Sequence, residues 1–195
     1  GGLVVAGYTN SFGAGGVDLL LAKFNASGDT LWTRTFGGPS NDYGYSVIEA
    51  SDGGLVVTGY TESYGINFND LFLAKFNASG DTVWTRTLGG ISQDVGQSVI
   101  EASDGGLVVT GYTKSFGTSD ANVLLAKFDA SGNHLWTRVM GQDTDDQGNS
   151  VIQTTDGNFI VTGRFYNEGV FEHLALAKFD TSGYTCLGEF VSPSV

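Results

Sequence analysis

Apolar and polar positions along this chain fall into two kinds of run. One is almost continuously apolar, as in LVV within Gly54–Thr61 and LFLA within Leu71–Phe76. That is the pattern of strands covered on both faces. The other alternates: Trp32, Arg34 and Phe36 share one side, while Leu31, Thr33 and Thr35 share the other. Period-two alternation marks a half-exposed strand. Asp-Gly and Ser-Gly dipeptides stand between the runs, and they suit tight hairpins.

The whole pattern then returns. Trp32, Trp84 and Trp136 recur at a period of 52 residues, and a worn fourth copy follows with Leu187 in the tryptophan position. Each tryptophan is expected to be fully buried as an anchor between units, with the planar head of Arg34 lying against Trp32 or Phe36. Each unit predicts four strands: a first at Ser46–Ser51, a second at Gly54–Thr61, a third at Leu71–Phe76 and a fourth at Thr82–Leu88. A period near 50 residues with four strands fits the blade of a β-propeller. The expected fold is therefore all-β, a propeller of four-stranded antiparallel blades. The blades are expected at 1–45, 46–97, 98–149 and 150–195, within one domain.

Composition sharpens this picture. Gly is frequent at 30 of 195 residues and Pro scarce at 2, which suits many short strands joined by tight turns. The net charge of −12 repels a phosphate backbone, so nucleic acid is excluded as an expected partner. The cations are mostly tied to the repeat. Lys23, Lys75, Lys127 and Lys178 hold one position and Arg34, Arg86 and Arg138 another, leaving Lys114 and Arg164. With Cys186 as the one cysteine, no disulfide can form within the chain. No apolar run reaches the roughly 20 residues of a membrane-spanning helix. The chain opens inside a strand pattern without a methionine, so a piece of something longer is expected.

The units DGGLVVTGYT, LAKFNASGDTLW and GGxSxDxGxSV resemble the β-propeller repeats of secreted and surface-displayed bacterial and archaeal proteins. The element Ser27, Gly28 and Trp32 is similar to a motif of quinoprotein-type propellers. The resemblance implies surface display and adhesive or structural roles, and it carries over no catalytic residues. The first unit lacks its first strand, so an open inner edge is expected. Completion would come from other blades, in a ring of seven or eight, or from a second copy of the chain.

Variation is confined to one end of the units, in loops SFGAGGV, SYGINFN, SFGTSDAN and FYNEGVFE. Variable loops on a rigid repeat are where recognition is expected. Tyr64, Phe68, Phe116, Asp120, Phe165 and Tyr166 are the candidate ligand-binding residues, with a glycan or a surface protein as the expected partner. Asp42, Asp94 and Asp146 recur at one position, either as a carboxylate ring or as turn-locking acceptors. Asp143, Asp145 and Asp146 cluster around a glycine turn and form a candidate Ca²⁺ site; no other cofactor is expected. Glu49, Glu101 and Gln153 lie on the first strand, which lines a propeller's axis. Asn25 and Asn77 sit in glycosylation sequons that also read as turn chemistry. His134 and His173 share no repeat position with each other, which argues against zinc. The expected function is a non-enzymatic binding or assembly propeller outside the cell. The alternatives are a structural subunit of a surface layer or filament, and a fragment of a quinoprotein-like or polysaccharide-acting enzyme.

Overall fold

A computed structural model describes residues 2–66, 68–141, 144–167 and 170–187. These residues form strands, turns and bends without a helix. The first sheet has three strands, β1 (Gly2–Thr9), β2 (Asp18–Asn25) and β3 (Thr30–Phe36). The second has four: β4 (Asp42–Glu49), β5 (Leu55–Thr61), β6 (Asp70–Phe76) and β7 (Thr82–Leu88). The third repeats it in β8 (Asp94–Glu101), β9 (Leu107–Thr113), β10 (Asn122–Phe128) and β11 (His134–Met140). The fourth comprises β12 (Gln147–Gln153), β13 (Phe159–Asn167), β14 (Val170–Phe179) and β15 (Thr185–Leu187). Strands pair antiparallel in chain order within each sheet. Each sheet is a propeller blade.

Blades stack face to face, β1 on β4, β5 on β8 and β9 on β12. The continuous apolar runs explain why. Leu19 and Leu21 of the first blade meet Leu55, Val57, Phe72 and Phe76 of the second. Val56, Leu71 and Leu73 on the other face of the second blade meet Val99, Val109, Leu124 and Phe128 of the third. The third meets the fourth through Val108, Val123 and Leu125 against Val151, Phe159, Val161 and Phe179. Each fully buried side chain of this kind contributes about 1.5–3 kcal/mol, so the interfaces carry most of the stability.

Among the described residues the stack does not close on itself. Leu3 and Val5 are 66% and 51% exposed, whereas Leu55 and Val57, one period on, are fully buried. At the other end Leu176 is 46% exposed, whereas Leu73 and Leu125 at the equivalent position are buried. Among the described residues the first sheet has no strand on the inner side of β1, as the sequence leads one to expect.

Two expectations are corrected. The first strand of a blade begins at Asp42 and not at Ser46, because a bulge between Gly44 and Ser46 lets the ladder continue. Gly59 makes that close approach feasible: a Cβ there would lie 1.8 Å from the Tyr43 carbonyl oxygen. The tryptophans are half-buried at the blade edge and not fully enclosed. Their planar partners are present: the Arg34, Arg86 and Arg138 guanidinium carbons lie 5.7, 5.3 and 5.4 Å from the Trp32, Trp84 and Trp136 rings. Arg86 also reaches the next blade, donating to the Gly132 carbonyl at 2.9 Å and the Ser131 carbonyl at 3.1 Å.

Candidate functional site

The variable loops and the connections between blades share one end of the molecule. Asn41, in a connection, accepts from the Val17 amide at 3.0 Å and donates to Glu62 at 2.9 Å. Phe12, Tyr64 and Phe116 hold one repeat position in the loops, and all three are exposed. Tyr64 is anchored: its hydroxyl donates to the Gly37 carbonyl at 2.7 Å, and its ring lies 5.6 Å from Phe36. Phe68 is exposed. Asp120 is half-buried, and its backbone carbonyl accepts from the Asn122 amide at 2.8 Å.

Phe165 is a correction. It is only 3% exposed and belongs to the core between the third and fourth blades. The reason is that β13 runs on to Asn167, so Phe165 still stands in the ladder, opposite His173. The side chain of Tyr166 lies outside the described residues, as does Asp143. Asp145 and Asp146 differ in burial. Asp145 accepts from the Ala121 amide at 3.1 Å and pairs with Lys114 at 3.3 Å, and Asp146 is buried. Among the described residues no three acidic, histidine or cysteine side chains converge on a common point.

Sequence reasoning missed a tyrosine cluster at the loop end of the inner strands. Tyr43 lies 4.6 Å from Tyr8 and 4.7 Å from Tyr60, and Tyr45 lies 5.9 Å from Tyr60 (ring centroids). Burial pushes the Tyr45 phenol up, with Tyr112, Tyr43 and Tyr8 adding to the effect. Burial also raises Tyr60, reinforced by Tyr45, Tyr43 and Glu62. These phenols therefore stay neutral through the physiological range. Tyr8 and Tyr45 are exposed, so the cluster has an open side. The available signal was the 52-residue recurrence of Tyr8, Tyr60 and Tyr112. It was lost because Tyr43 and Tyr45 were placed before the strand and not on it.

Several repeated polar residues hold the scaffold. Asp42 accepts from the Gly38 amide at 2.8 Å, from the Ser63 hydroxyl at 2.6 Å and from the Thr61 hydroxyl. Glu101 and Gln153 do not form a free axial ring. Glu101 accepts from the Ser51 amide at 2.7 Å and hydroxyl at 2.8 Å, and Gln153 from the Ser103 amide at 2.7 Å, each reaching into the preceding blade. Asn25 accepts from the Ser27 and Asp29 amides and donates to the Asp29 carboxylate at 2.9 Å. Asn77 repeats this with Ser79 and Asp81. In the third blade the pair is reversed, Asp129 accepting from Asn133.

The family model described as "Domain of unknown function (DUF5122) beta-propeller" matches residues 1–30. The chain is built of β-propeller repeats. The propeller is 27% identical over 171 residues to "Regulatory protein FlaEY" of Caulobacter vibrioides, a match covering 75% of this chain and 18% of that protein. The chain thus spans less than a fifth of that relative's length. A solved structure titled "Crystal structure of the eukaryotic initiation factor" overlays 95% of the propeller and 42% of its own chain, at a TM-score of 0.48 and 11% identity.

Proposed function

We propose that this propeller is a non-catalytic binding module displayed outside the cell, and that its loop face takes a glycan. The tyrosine cluster carries this reading. Tyr8, Tyr43, Tyr45 and Tyr60 offer flat apolar faces with neutral hydroxyls at their edges, and buried aromatic area combined with a polar handle suits a sugar ring. Asn41 and Glu62 lie beside them and supply amide and carboxylate groups for sugar hydroxyls. The exposed Phe12, Tyr64 and Phe116 extend the apolar surface along the loops. A glycan array probed with the wild-type chain and with Tyr8→Ala, Tyr60→Ala and Phe116→Ala tests the proposal. Retention of a carbohydrate by the wild type, lost in both tyrosine variants and weakened in Phe116→Ala, is expected. A wild-type chain that retains no carbohydrate rejects it.

A second reading, assembly, rests on the end faces. Leu3 and Val5 at one end and Leu176 at the other repeat the positions that blades bury against each other. A second copy of the chain would continue the same interface and cover the open edge of β1. A native mass of two chains supports this reading, and a mass of one chain at tens of micromolar rejects it.

A further inference from the structure

Asp18, Asp70 and Asn122 open β2, β6 and β10 at the period of the repeat, and each is only 1% exposed. An isolated buried carboxylate costs several kcal/mol unless its charge is met. Yet neither oxygen of Asp18 has a hydrogen-bond partner, and neither does Oδ1 of Asp70. The other Asp70 oxygen accepts from the Ile66 amide at 2.5 Å.

What these oxygens face is a second acid. A Cβ built on Gly37 would lie 2.1 Å from Asp18 Oδ1 and 2.9 Å from Asp42 Oδ2. At Gly89 the same construction meets Asp70 Oδ1 at 1.7 Å and Asp94 Oδ2 at 2.8 Å. At Gly141 it meets Asn122 Oδ1 at 2.6 Å and Asp146 Oδ2 at 2.7 Å. In all three blades a glycine, by lacking a Cβ, lets two side-chain oxygens from different strands approach the same point. Asp42 and Asp94 use both their oxygens as acceptors, from Gly38, Ser63 and Thr61 and from Gly90, Ser115 and Thr113. In the third blade Asn122 donates to the Asp120 carbonyl at 2.8 Å and its oxygen accepts from the Thr118 hydroxyl at 3.0 Å, a donor that neither oxygen of Asp18 has.

We propose that Asp18 with Asp42, and Asp70 with Asp94, each hold a hard divalent cation of the calcium class, with Asn122 and Asp146 forming a weaker third site. Two carboxylates neutralise such an ion, and oxygen donors are its preferred ligands. Backbone carbonyls and water would complete the coordination. The ion would join the loop before the third strand to the first strand of the following blade. It would thus order the same end of the molecule that carries the variable loops.

Calorimetric titration of chelator-treated protein with CaCl₂ in about 0.15 M NaCl tests the proposal. Two equivalents of Ca²⁺ should bind, with a weaker third, and Ca²⁺ should raise the melting temperature. Asp70→Asn, which copies the third blade, should weaken one of the two sites by about tenfold or more, because affinity follows ligand charge. Asp145→Asn, at an exposed residue paired with Lys114, should leave the titration unchanged. Should Asp70→Asn not fold, terbium provides a readout on the wild type. Tyr64 bonds to the Gly37 carbonyl beside the first site, so tyrosine excitation should sensitise terbium emission, and Ca²⁺ should quench it by displacement. An absence of heat, of terbium emission and of any melting response to CaCl₂ or chelator overturns the proposal. So does binding that survives Asp70→Asn but is lost in Asp145→Asn, which would place the ion in the loop before β12.

Discussion

Gly132 lies directly against the ring of Trp84: a Cβ at Gly132 would sit 2.9 Å from the indole, in the blade before it. The same relationship joins Gly80 to Trp32 and Gly183 to Trp136. The Ser-Gly turn thus meets two demands at once, a left-handed backbone (φ of 78° at Gly132) and space for the neighbouring ring.

These two demands can be separated by substitution. Gly105 has the same φ of 78° but nothing within 4 Å of its Cβ position. Gly105→Ala should cost about 1–2 kcal/mol through backbone strain alone. Gly132→Ala should cost roughly 1–2 kcal/mol more, because the added methyl overpacks against Trp84. Chemical denaturation of both variants checks this; equal losses would show that the indole moves aside freely.

Glu101 should act through its acceptor oxygens and not through its charge. It takes two hydrogen bonds from Ser51, and at the equivalent place Gln153 serves Ser103. Glu101→Gln should therefore stay within about 0.5 kcal/mol of wild type, whereas Glu101→Ala should lose about 1–2 kcal/mol. Melting curves at neutral pH would decide, and a large loss in the glutamine variant would assign the role to charge.

Acid should weaken the propeller through the lysine at the end of each third strand. The hydrogen bond from Lys127 holds the Asp104 carboxyl below its ordinary range, and Lys75 does the same for Asp52. The folded value lies below the unfolded one, near 4. The stabilisation is therefore fully present above about pH 4 and is lost as pH falls through the folded value. Asp104→Asn should lower stability at neutral pH and flatten the fall below about pH 4. A slope unchanged in the variant would locate the acid sensitivity elsewhere.

Much of the fold was legible because each blade repeats one solution. Trp32, Trp84 and Trp136 set the unit, and the runs around Leu55–Val57 and Leu71–Leu73 are buried as their pattern implied. The extension of β4 back to Asp42 was not legible, since it rests on two glycines meeting across a bulge and not on an apolar run. The tyrosine cluster followed that extension out of sight. Asp18 and Asp70 were hidden for a different reason. They abut apolar stretches and read as strand-end polar residues, and only the three-dimensional packing shows them shut away from water. Phe165 looked like its exposed loop counterparts, but the longer β13 carries it into the core.

The reversal of Asn25–Asp29 into Asp129–Asn133 has a consequence for how such a chain can diversify. The hydrogen bonds of the pair stay within their own turn, so acid and amide can trade places inside one blade, and what crosses to the neighbour is the charge of Asp129, felt at Arg86. Trp84 and Gly132, or Glu101 and Ser51, belong to two blades at once, and a change in either must be answered one period away. A copied blade arrives with its private contacts complete and half of each shared one, ready to meet any sibling. Innovation is cheap inside a unit and negotiated at its borders.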